Sequence, residues 1–114
     1  MALIYKLSPR KEWEVVEAEG VFTGAPVDVA DGFIHFSTAE TVDETANKWF
    51  ADVEDVLLIS VETDRLDQAK LKYEPSRGGA LFPHLYAPMP MDAVVGVNDL
   101  PKTTHGFDFT GLLD

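Results

Sequence analysis

The chain of 114 residues contains no cysteine. That absence excludes disulfides and thiolate chemistry, and it leaves any zinc site to histidine and carboxylate ligands alone. Histidine is itself scarce, with three copies. No apolar run approaches the length of a membrane span. The opening stretch "MALIYKLSPRKEW" lacks the basic region and long apolar region of a secretory signal. A cytoplasmic location is therefore expected. Positive charge is also short, with 9 basic residues against 20 acidic ones and a formal net charge of −11. A phosphate backbone is repelled at long range by such a chain, so sequence-independent nucleic-acid binding is not expected. Small anionic ligands stay compatible, because a few local cations can dominate a pocket.

What is present suits a folded domain. Hydrophobic residues at 46% and charged residues at 25% are ordinary for a globular protein and argue against disorder. The length suits one core. Ala2 to Leu7 reads as a strand, and Ser8 with Pro9 reads as a helix start, serine capping and proline in the first helical position. The helix "RKEWEVVEAEG" then buries Trp13 and Val16 and ends at Gly20. Val21 to Asp31 reads as a loop with room for a short strand. "GFIHFS" alternates as a strand, with Phe33, His35 and Ser37 on one face and Ile34 and Phe36 on the other. Ser37 with Glu40 matches a capping box, after which Ala39, Val42, Ala46, Trp49 and Phe50 form one helical stripe to about Ala51.

"DVLLISVET" is nearly all apolar and is predicted to be a central strand. "DRLDQAK" suits one helical turn, "LKYEP" a short strand, and "SRGG" a turn. "ALFPHLYAPMP" is extended and "MDAVVGVNDLP" is the last strand, ending at Pro101. The expected architecture is one α+β domain over residues 1–101, a split mixed or antiparallel sheet with two main helices. Residues 102–114 are expected to form a tail carrying Phe107 and Phe109, either closing over the sheet or pairing two subunits.

Two segments carry the candidate chemistry. Phe33, His35 and Ser37 share one strand face, and Phe82, His84 and Tyr86 share another if "LFPHLY" stays extended. Each offers an aromatic, a histidine and a hydroxyl at period two, so the pair can line opposite sides of one cleft. Imidazoles would orient a ligand by hydrogen bonds and aromatics would supply stacking surface. The competing reading is that one histidine bonds to a nearby backbone carbonyl and the rest is core. Ser37 is a cap before it is a nucleophile, since no nucleophile elbow is present. A metal held by Asp31, His35 and His84 is conceivable, but no ligand spacing demands one. Arg77 with the amides of Gly78 and Gly79 offers an anion-binding concavity, against the plainer reading of a hairpin turn. Glu74 and Lys72 share a face, where a cross-strand ion pair competes with a catalytic role. Lys48 to Phe50 reads as helix packing, and His105 has no assigned role.

"GFIHFSTAE", "DVLLISVE", "YEP" and "LFPHLYAPMPMDAVVGV" together resemble the family called domain of unknown function 952, over about residues 2 to 100. Its members are small bacterial proteins with no established activity. That family is similar, more distantly, to the ADP-ribosyltransferase fold superfamily. The likeness implies a split sheet around a cleft, with NAD or an ADP-ribose-type nucleotide as substrate or ligand and no required cofactor. It implies that His35 and Ser37 face the nicotinamide ribose, and that "FPHLY" lies where the catalytic acid is expected. Lys6 stands where family members often carry a histidine, and no glutamate occupies "FPHLY". His84 stands nearest, with Glu74 the nearest carboxylate in sequence. A carboxylate stabilises the oxocarbenium-like charge of ribose cleavage better than a neutral histidine does. The implied catalytic candidates are His35, His84 and Glu74. The implied ligand contacts are Lys6, Phe33, Ser37, Arg77, Phe82 and Tyr86, with no metal. Two other readings stay open: a non-catalytic small-ligand or protein-interaction module, and another small-molecule enzyme using the histidines as acid and base.

Overall fold

The computed structural model describes residues 2–76 and 79–113. In chain order its elements are β1 (Leu3–Pro9), α1 (Arg10–Glu19), β2 (Val21–Phe22), α2 (Pro26–Asp31), β3 (Ile34–His35), α3 (Val42–Trp49) and β4 (Val56–Glu62). They continue with β5 (Leu71–Pro75), β6 (Leu81–Leu85), β7 (Met89–Pro90), β8 (Val94–Asp99), β9 (Lys102–Thr103) and β10 (Gly106–Phe107). Strand β4 is buried along its whole length and lies between β1 and β8. Leu57, Ile59 and Val61 enter one core cluster while Val56 and Leu58 enter another, so both faces of the sheet are covered. That double burial is why the segment reads as an unbroken apolar run rather than an alternating one.

The first cluster takes Trp13 and Val16 from α1 and Ile34, Leu85 and Met89 from beyond the sheet. The second takes Val42 and Ala46 from α3. Phe107, Phe109, Leu112 and Leu113 pack against that second cluster. The chain after Pro101 turns back as the β9–β10 hairpin and lies against α3. A second three-stranded sheet has the order β3-β6-β5. All strand pairs among the described residues are antiparallel. The two larger sheets meet where Tyr5 and Ser37 exchange backbone hydrogen bonds of 2.8 Å in both directions. The chain is thus a single-domain α+β fold with antiparallel sheets and few helices.

Several local expectations are corrected. Ser8 does not cap α1: it is still paired in the ladder opposite Leu57, and its hydroxyl donates to the Pro9 carbonyl. Pro9 ends the strand, and the helix entry is tied instead by the Arg10 amide donating to Asp55 O at 3.0 Å. Val21 to Asp31 opens with the short strand that its sequence allowed, but the remainder is more than a loop. The segment holds β2 and then α2, which has Pro26 at its first position and ends at Gly32 in the left-handed conformation, φ 87°. The "GFIHFS" strand is cut to Ile34–His35, because after Phe36 donates to Pro83 O the backbone leaves β6 for Tyr5. The Ser37–Glu40 capping box does not form. Helix α3 starts at Val42, after a turn in which the Thr38 amide donates to Thr41 Oγ1, and the Ser37 hydroxyl donates to Thr45 Oγ1. Trp49 leaves the buried stripe and is 62% exposed.

Candidate functional site

The site begins with the ladder. Strands β3 and β6 place His35 directly opposite His84, and β6 and β5 place His84 opposite Lys72 and Phe82 opposite Glu74. Side chains that face each other or sit two residues apart share a sheet face, so His35, His84, Lys72 and Glu74 all project to one side. The two imidazole rings lie 5.4 Å apart at 72°. Phe33, just before β3, stacks on His84 at 4.2 Å and 28°, with His35 at 4.7 Å and Tyr86 at 5.0 Å from its ring centre. The histidines expected on two separate segments are thereby brought into one aromatic cluster.

Each imidazole is held by carboxylates, but differently. His35 Nδ1 lies 2.6 Å from Asp28 Oδ1, and its Nε2 lies 3.0 Å from Asp31 Oδ2. A carboxylate can only accept, so both contacts are hydrogen bonds only in the doubly protonated ring. His84 Nδ1 lies 2.8 Å from Glu74 Oε1, and the same oxygen accepts from the Tyr86 hydroxyl at 2.6 Å. That arrangement puts the Nδ1 proton toward Glu74 and leaves Nε2 without a hydrogen-bond partner among the described residues. His84 is buried, while the Glu74 side chain is 37% exposed. The bond from Tyr86 and then that from His84 hold the Glu74 carboxyl below its ordinary range. The same bond to Glu74, with burial second, pushes the Tyr86 phenol up.

Asp28 is the structural hub beneath this cluster. Its side chain is 1% exposed, yet it accepts from the amides of Ala25 (2.8 Å) and His35 (3.1 Å), from the His35 ring, and from Lys6 Nζ at 2.9 and 3.1 Å. Burial alone would raise its pKa. The His35 bond, the Lys6 charge and bond, and the Ala25 amide more than offset that and hold it at about 2. Burial pulls the Lys6 ammonium below the usual lysine range, with Asp28 pulling against it. Its third acceptor is the His35 carbonyl at 2.7 Å, so the three protons of the ammonium face three oxygens. Asp28 escaped the sequence reading. Its signal was Pro26, Asp28 and Gly32, the N1, N3 and C′ pattern of a short helix.

The remaining candidates sit as follows. Lys6 is committed to Asp28 and the His35 carbonyl. Ser37 is buried with its hydroxyl on Thr45, at the junction of the sheets. Phe82 is buried opposite Glu74. Arg77 and Gly78 lie outside the described residues. Among the described residues no group of three or more His, Asp or Glu is arranged to hold a metal. A cleft of about 270 Å³ adjoins the cluster and is lined by Phe33 and Tyr86 but not by either imidazole. No helix of the structure is long and apolar enough to cross a membrane.

No curated protein matches the chain. The crystal structure of protein CC0527 from Caulobacter crescentus is 45% identical, covers 95% of both chains and superposes with a TM-score of 0.88. The solution structure of the same protein is 47% identical over 94% of this chain and 91% of the other, with a TM-score of 0.82. The family model described as "Protein of unknown function (DUF952)" matches residues 7–97. The chain belongs to that family of proteins of unknown function.

Proposed function

We propose that the chain binds a small polar ligand at the His35–His84 face, and that NAD or an ADP-ribose-type nucleotide is the first class to try. One observation carries the reading: His84 is oriented by Glu74 at 2.8 Å and faces His35 across 5.4 Å, with Phe33 stacked on it. A carboxylate that holds Nδ1–H fixes the tautomer and leaves Nε2 as the proton-transfer atom. The chemistry this suits is cleavage or transfer at the ribose C1. The bond from C1 to the ring nitrogen breaks with its electron pair leaving on the ring. Water adds at C1 and gives its proton to His84 Nε2, while the nearby Glu74 carboxylate favours the positive charge that develops.

A second reading is favoured by the same stacking, because Phe33 covers the His84 ring. A non-catalytic small-ligand or protein-interaction module needs no access to Nε2. Calorimetry with NAD, ADP-ribose and nicotinamide, followed by product analysis, separates the two. Saturable heat with a released ring, abolished in His84→Gln, supports the enzyme. Saturable heat with intact ligand supports the module. No heat from any of the three ends the nucleotide reading.

A further inference from the structure

The cleft beside the histidine cluster lies between α2 and the segment after β6. Its lining includes Thr23, Val29, Phe33, Leu85, Tyr86 and Pro88. Most of the lining is apolar and the buried, acidic Asp28 also contributes to it, which suits the body of an organic ring rather than a phosphate. At about 270 Å³ it falls just below the roughly 300–1,000 Å³ of ordinary small-molecule sites. A single ring with one substituent fits that space, and a whole dinucleotide does not. Phe33 and Tyr86, with ring centres 5.0 Å apart, form the wall shared by the cleft and the histidine cluster. Tyr86 belongs to both: it lines the cleft, and its hydroxyl donates to Glu74, which holds His84. Val29, on α2, also lines the cleft and is 67% exposed.

We propose that this cleft is the subsite for the flat, single-ring end of the ligand, with Val29 limiting its size and Tyr86 linking its occupancy to the Glu74–His84 pair. The inference rests on the ligand-binding reading above and names which part of the ligand sits where. Among the described residues that line the cleft none is a cation, and the buried Lys6 ammonium is spent on Asp28 and the His35 carbonyl. With the acidic Asp28 in its lining, the cleft disfavours a phosphate, which places any phosphate of a larger ligand outside it.

The test uses the full chain, with nicotinamide and NAD as probes followed by NMR. Nicotinamide is expected to shift the amides of Thr23, Val29, Phe33 and Tyr86 together with the His84 ring signals. Val29→Trp fills the cleft from an exposed position and is expected to weaken nicotinamide at least tenfold and NAD to a similar degree, with the thermal midpoint unchanged. Tyr86→Phe keeps the wall but removes the link. It is expected to retain the amide shifts while the His84 response falls away. NAD binding that is lost in His84→Gln but unaffected by Val29→Trp overturns the cleft assignment while the ligand-binding reading stands. Wild-type protein that binds neither probe overturns both.

Discussion

Replacing Asp28 with asparagine probes the hub on which the histidine face rests. The substitution keeps the shape but turns one acceptor oxygen into an NH2 donor and removes the charge. Five donor contacts converge on the native carboxylate, two from Lys6, two from His35 and one from Ala25. In Asp28→Asn at least one of those N–H groups meets another donor, and the Lys6 ammonium is left buried without its counter-charge. Breaking a buried ion pair from one side costs about 3–5 kcal/mol, a large part of the ~5–15 kcal/mol that holds a domain together. For a chain of this length that is a fall in midpoint on the order of 10–20 °C. Urea and thermal unfolding followed by circular dichroism read it directly. The pH dependence gives a second handle. The Asp28 pKa is depressed to about 2 from an ordinary value near 4, so its stabilisation is complete above about pH 4 and is lost as pH falls through about 2. That loss amounts to about 2–3 kcal/mol and is absent in the Asn variant. Lys6→Met together with Asp28→Asn restores part of the stability lost by Asp28→Asn, because the stranded ammonium is gone. A cost for Asp28→Asn below about 1 kcal/mol, or the same acid sensitivity in the variant as in wild type, refutes the hub.

Other consequences follow from the same geometry. Glu74→Gln removes the charged acceptor shared by His84 and Tyr86, so the Tyr86 phenol is expected to titrate at lower pH than in wild type, back toward about 10. Ultraviolet titration across the phenol range checks this, and the partly exposed position predicts little change in midpoint. Tyr86→Phe works in reverse, letting the Glu74 carboxyl rise toward its ordinary value, as NMR titration of its side chain would show. Phe33→Ala uncovers the His84 ring, and its modification by diethyl pyrocarbonate is expected to accelerate several-fold, with mass spectrometry locating the adduct. An unchanged rate shows that Phe33 does not shield the imidazole.

The sheet was legible where burial is uniform. Val56–Glu62 is apolar on both faces because core lies on both, and a run of that kind announces a central strand. The period-two match of "GFIHF" and "LFPHLY" pointed to the two histidines as opposite sides of one cleft, whereas the segments are paired strands whose register sets His35 against His84 on one sheet face. The end of the first of these strands was not legible. Whether Ser37 continues along β6 or crosses to Tyr5 is decided by backbone bonds to a segment thirty residues upstream, which leave no local mark. The capping box at Ser37 failed for the same reason, since a residue already held in the junction with β1 cannot also begin a helix. Helix α2 was overlooked although Pro26, Asp28 and Gly32 spell its boundaries, because Val27 and Val29 point outward and give no amphipathic stripe. The role of Lys6 was hidden likewise: only the fold shows that Asp28, twenty-two residues away, consumes it.

The central claim is that the His84 ring, held by Glu74 and covered by Phe33, belongs to a ligand site rather than to a closed core. Imidazole NMR signals of the full-length chain, followed while NAD, ADP-ribose and nicotinamide are each added to saturation, test it most directly. The account predicts that at least one of them shifts the His84 resonances in a saturable way, with smaller shifts at His35 and none at His105. Imidazole signals that stay unmoved by all three, in a protein whose Phe33→Ala variant is equally silent, would contradict it.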